Sequence, residues 1–188
     1  MKLRLFISIN FPEEIIRSLA DTLETLAPKL PQGARILPPD NWHLTISFLG
    51  NQEHESMGPL IDTLEEITRD YQLPELATKK IIYGPPGKRP RMVWLTFTEE
   101  TSRELSKLSY KLEEKLSEAG IRFQIATKAF RAHTTLARFD VSLPRTALLK
   151  EEFVHSFYAD SLDVMQSEIE KKGTEFSILS RFAFREIA

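Results

Sequence analysis

Leu3, Leu5, Ile7 and Ile9 alternate with Arg4, Phe6 and Ser8, the period of two that predicts a strand with one face in a core. Pro12 opens a different rhythm. Ile15, Ile16, Leu19, Leu23 and Leu26 recur at helical spacing, and Pro28 and Pro31 stop them. After Pro38-Pro39 the alternation returns in His43 to Leu49, with Leu44, Ile46 and Phe48 predicted inward, His43, Thr45 and Ser47 on the other face, and Gly50 as the boundary. A second helix is predicted around Leu60, Ile61, Leu64 and Ile67, then strands over Lys79 to Tyr83 and Met92 to Phe97. The Pro-, Gly- and Arg-rich stretch Gly84 to Arg91 between those strands reads as an exposed loop.

Leu105, Leu108, Leu112 and Leu116 mark a third helix over Thr101 to Glu118, ended by Gly120. Strands are predicted at Arg122 to Ile125 and within Phe130 to Phe139, a short helix at Leu148, Leu149 and Phe153, and two last strands at Phe157 to Met165 and Glu175 to Phe184, with Gly173 in the turn between them. Each histidine-bearing strand is thus followed by one helix and two strands, a weak duplication of element order. No linker of low complexity divides the 188 residues, so they read as one domain, 1–188, built from two lobes.

Composition narrows the class. Hydrophobic residues at 41% and charged residues at 28% are ordinary for a globular chain. A net charge of -2 excludes coating of nucleic acid by bulk positive charge, so any such contact is local. The lack of cysteine rules out disulfides and thiolate metal ligands and suits a cytoplasmic location. The apolar run at the N-terminus is too short and polar for a signal peptide, and no stretch approaches a membrane span.

The candidate chemistry lies in two of the four histidines. His43 and His133 each carry a threonine two residues on, Thr45 and Thr135, and a strand's period places each pair on one face, with Arg131 beside the second. Two imidazoles near neutrality supply an acid and a base on opposite sides of a phosphorus, hydroxyls donate to non-bridging oxygens, and a guanidinium offsets their charge. Spacing alone leaves a plainer alternative open, two strand histidines meeting local hydrogen-bond needs. No His-Glu-x-x-His spacing or carboxylate cluster supplies a metal site, and no glycine-rich phosphate loop is present.

Asn41-Trp42-His43-Leu44-Thr45-Ile46-Ser47-Phe48-Leu49-Gly50 and Arg131-Ala132-His133-Thr134-Thr135-Leu136-Ala137-Arg138 resemble the paired motifs of the two-histidine phosphoesterases, and within them the RNA 2′,3′-cyclic phosphodiesterases once called 2′-5′ RNA ligases. The likeness extends to Arg4-Leu5-Phe6, Leu37-Pro38-Pro39, Arg89-Pro90-Arg91 and the segment Ser156 to Phe184. It implies an α+β fold of two pseudo-symmetric lobes, each an antiparallel sheet with packed helices, around a central cleft. It also implies hydrolysis of terminal 2′,3′-cyclic phosphates to 2′-phosphomonoesters without metal or cofactor, and weak reverse 2′-5′ ligation. By the same resemblance His43 is the proton donor and His133 the acceptor, with Thr45 and Thr135 holding the phosphate, and the face that Arg131 shares with His133 makes it a further expected substrate-binding residue. Two departures stand out: Ala132 where the family usually has proline, and Thr134 where an apolar residue is usual.

The expected partners are RNA or oligonucleotide ends bearing the cyclic phosphate, with small cyclic nucleotides also admissible, and the chain is expected to be monomeric. A non-catalytic module of the same fold that binds RNA ends is the alternative. Phe6 and Trp42 are read as core rather than base-stacking residues, Lys88, Arg89 and Arg91 as a solvated basic loop, and His54 and His155 as surface residues.

Overall fold

The fold is described for residues 2–72, 75–124, 130–170 and 173–185 of a computed structural model. In chain order the elements are β1 (Lys2–Asn10), α1 (Glu13–Leu26), β2 (Arg35–Ile36), β3 (His43–Glu53), α2 (Met57–Asp70), β4 (Leu76–Gly84), β5 (Met92–Phe97), α3 (Glu99–Glu118), β6 (His133–Arg138), β7 (Lys150–Glu152), β8 (Ser156–Phe157), β9 (Ser161–Glu170) and β10 (Gly173–Ala183). One sheet has the order β10-β9-β1-β3 and the other β2-β6-β5-β4-β7, with β8 on the end of β4. Every described pairing is antiparallel. The fold is α+β in two lobes, and the lobes are not the two halves of the chain, because the first and last strands share one sheet.

The amphipathic helices form where the apolar spacing predicts them. Ile15, Leu19, Leu23 and Leu26 are the buried face of α1. Leu105, Leu108, Leu112 and Leu116 are that of α3, whose first turn is capped by the Thr98 hydroxyl accepting from the Thr101 amide at 3.2 Å. In the first sheet Leu5, Ile7, Ile9, Leu44, Ile46, Leu162 and Val164 point into the core. The opposite face is only partly exposed: Phe6 and Ser8 are buried as well, Phe6 against the cleft, whereas Arg4 and Phe48 are exposed.

Several expectations are corrected. Leu148, Leu149 and Phe153 form no helix: Leu148 is 90% exposed, and the residues between pair as β7 along the edge of β4, Ile81 facing Glu151. Three apolar side chains are too few to nucleate a turn against an open strand edge. The repeated order of one helix and two strands therefore fails after β6. Residues 122–124 are not a strand, and Ile125 lies outside the described residues. Gly50 does not end its strand either: β3 runs on to Glu53, and a φ of +68° at Gly50 accompanies the register shift there. Gly173 begins β10 rather than sitting in a turn, and residues 171–172 lie outside the description.

Candidate active site

The site starts from two strands, β3 and β6, with the same irregularity. Opposite β1, Ile7 faces Ser47 and Ser8 faces Thr45, so Ile46 is an extra residue in β3. Opposite β5, Val93 faces Ala137 and Trp94 faces Thr135, so Leu136 is an extra residue in β6. A bulge of one residue reverses which face the following side chains take. The burial order along 42–49 and 132–139 is consequently identical: one buried residue, half-buried His, buried, half-buried Thr, two buried, one exposed, one buried. The exposed residue is Phe48 in the first strand and Arg138 in the second, ninety positions apart like the histidines and threonines.

The reading of β3 from strict alternation is thus corrected past Ile46. Ser47 turns inward, 3% exposed, and Phe48 turns outward, 47% exposed. Both bulged carbonyls, which the ladder cannot use, are satisfied from outside. The Ser109 hydroxyl of α3 donates to the Ile46 carbonyl at 2.9 Å, and the Leu37 amide donates to the Leu136 carbonyl at 2.8 Å.

These strands face one cleft of about 180 Å³. His43, Thr45 and Phe48 line it from one lobe and His133, Thr135 and Arg138 from the other, with Phe6 and Phe176 on the first sheet and Leu37 and Asn41 at the approach to β3. That volume is below the roughly 300–1,000 Å³ of pockets that engulf a drug-sized ligand, so the cleft has room for a small group only. The lobes are joined at this point: the Thr134 hydroxyl, in a residue 1% exposed, donates to the His43 carbonyl at 3.0 Å.

The two imidazoles sit in different surroundings. His43 is walled by Phe6 at 4.8 Å and Phe176 at 5.0 Å between ring centroids. Burial pushes its pKa down to about 4; the nearby Asn41 backbone opposes this, yet Nδ1 has no hydrogen-bond partner among the described residues. His133 lies against the Trp94 indole, centroids 3.9 Å apart. Its pKa is also lowered by burial, and the Arg131 carbonyl, 2.8 Å from Nδ1, acts in the opposite sense. A carbonyl only accepts, so this contact keeps the proton of neutral His133 on Nδ1 and leaves Nε2 with its lone pair free. Trp94 is itself fixed from behind by Gly84, where a Cβ would come within 2.3 Å of the indole.

Of the residues singled out in the sequence, His43, His133, Thr45 and Thr135 share the cleft. Arg131 precedes β6 with an exposed side chain and does not line it, and the guanidinium that does belongs to Arg138. Phe6, 2% exposed, is packed among His43, Phe48 and Phe176 on the cleft wall, whereas Trp42 is in the main core. Lys88, Arg89 and Arg91 are exposed, as is His54, and His155 is half-buried against Phe153.

Solved structures share this fold. The Thermus thermophilus protein TT0787 superposes with a TM-score of 0.76 at 26% identity, over 97% of this chain and 98% of that one. E. coli LigT has the same fold, with a TM-score of 0.76 at 24% identity over 99% and 100% of the two chains. The profile of the LigT-like phosphoesterases matches residues 9–94. A Thermotoga maritima protein named RNA 2′,3′-cyclic phosphodiesterase is 30% identical over 136 residues, 72% of this chain and 70% of its own. One of the same name from Archaeoglobus fulgidus is 27% identical over 164 residues, 87% and 86% of the two chains. The chain belongs to the LigT-like phosphoesterase family.

Proposed function

We propose that this phosphoesterase hydrolyses the terminal 2′,3′-cyclic phosphate of RNA or oligonucleotides to a 2′-phosphomonoester, with His133 as base and His43 as acid and without a metal. The observation that carries this reading is that two strands with the same bulge and the same burial order present His and Thr to one cleft. The names of its relatives agree with it.

In this mechanism Nε2 of His133 takes a proton from water as the oxygen attacks phosphorus, the P–O3′ bond breaks, and the His43 imidazolium gives its proton to O3′. Thr45 and Thr135 donate to the non-bridging oxygens, and Arg138 offsets their charge. The tautomer held by the Arg131 carbonyl suits His133 to the base role. A pKa near 4 makes the His43 imidazolium a strong acid that is scarce in the free protein. The bound anion, an opposite charge against a desolvated ring, raises that pKa and populates the donor. The reverse step, 2′-5′ joining of ends, follows from microscopic reversibility and is weak in water.

The test is to incubate the protein in EDTA with an oligonucleotide ending in a 2′,3′-cyclic phosphate and to identify the phosphomonoester. A 2′-phosphate is expected, and His43→Ala or His133→Ala should each lower turnover by roughly 10²–10⁴-fold. A 3′-phosphate would reverse the leaving-group assignment. A stable, unreacted complex would make the chain a module that binds RNA ends.

A further inference from the structure

Phe48 is an unusual wall for a cleft that receives an anion, and what covers it carries the inference. Its ring is stacked beside Phe6, centroids 6.3 Å apart and planes 11° apart, and the Arg4 guanidinium lies 5.2 Å from its centroid. Arg4 is exposed on β1 and has no ion pair among the described residues. Its cross-strand partner on β3 is Asn51, and the β9 residue that bonds its carbonyl is Ser167, neither of them a carboxylate. By contrast, Arg181 on β10, at the edge of the same sheet, pairs with Asp163. In a chain of net charge -2, a guanidinium with no acidic partner among the described residues, lying over a side chain of the cleft wall, is a specific feature.

We propose that Arg4, seated on Phe48, binds the phosphodiester one nucleotide upstream of the reacting end, so that the protein prefers oligonucleotides to mononucleotides. This rests on the reading given under Proposed function. Thr45 lies opposite Ser8 and Phe48 opposite Phe6, two residues apart on β1 and so about 7 Å along the sheet, a distance one nucleotide spans. Cation–π attraction to the ring uses none of the N–H donors of Arg4, which remain for the paired contacts that a phosphate accepts, and it restricts the side chain before the ligand arrives.

Two readouts test it on the intact protein. The first compares kcat/KM for a mononucleoside 2′,3′-cyclic phosphate and for a trinucleotide with the same end. Arg4→Gln should lower the trinucleotide value about ten-fold and the mononucleotide value by at most about two-fold, and Arg4→Lys should recover part of the loss. The second is fluorescence anisotropy of a labelled trinucleotide ending in a 2′-phosphate, which needs no turnover. Arg4→Gln should weaken binding and reduce the slope of log affinity against log salt by about one contact. Equal losses on both substrates, or no loss on either together with an unchanged salt slope, would overturn the assignment. If the unmodified protein turns over neither substrate, the proposed reaction fails, and the anisotropy alone decides the role of Arg4.

Discussion

Thr134, buried in β6, sits where the two lobes touch. Its hydroxyl gives the His43 carbonyl a partner at 3.0 Å across the lobe boundary. Thr134→Val keeps the shape and leaves that carbonyl without its donor, so chemical denaturation should show a loss of about 1–3 kcal/mol, with kcat falling more than KM changes. Thr134→Ser should restore both. A valine variant as stable and active as the parent would show that the bond neither stabilises the lobe contact nor holds His43 in place. The same scale shows what side-chain identity made legible. His43, Thr45, His133 and Thr135 were readable because each pair lies before its bulge, where a period of two still holds. Trp94 was not, since a tryptophan in an apolar strand reads as core, and only the coordinates show its indole between Gly84 and the His133 ring.

The bulge in each motif strand decides which of the later residues face the cleft. Strict alternation predicts Ser47 outward and Phe48 inward, and it gives no place to Arg138. One extra residue, Ile46 or Leu136, reverses each outcome. Nothing in the sequence marks either bulge, because both residues are ordinary apolar strand formers and the carbonyls they free are met by distant groups, Ser109 on α3 and the Leu37 amide. Alternation also favoured Arg131, which lies just before β6, where no ladder fixes its direction. Ser109→Ala should remove the partner of the Ile46 carbonyl, lower stability by about 1–3 kcal/mol and increase hydrogen exchange in β3 near Ser47. Unaltered exchange there would mean that the ladder alone holds the bulge. The helices and outer strands were legible because their amphipathic spacing is long and regular, whereas β7 was not, its short span being set by the open edge of β4.

For the molecule as a whole, the two sheets bury both imidazoles in a cleft with no carboxylate among its lining residues. Burial lowers both pKa values, so protonation of either ring opposes folding. The contribution of His43 to stability is complete above its ordinary pKa of about 6.5 and is lost as the pH falls toward about 4, on the order of 3 kcal/mol in all. An anion in the cleft acts the other way: it favours the charged rings, so phosphate-bearing ligands should bind more tightly as the pH falls through that window. No described helix is long and apolar enough to cross a membrane.

The most direct measurement follows the ring nitrogens of His43 and His133 by NMR through a pH titration, with and without adenosine 2′-monophosphate. Without ligand both should titrate below the ordinary histidine range, His43 near 4. With ligand, both signals should shift with one shared dissociation constant, and both pKa values should rise. A response from only one imidazole, or two responses with different affinities, would contradict a single phosphate held between them.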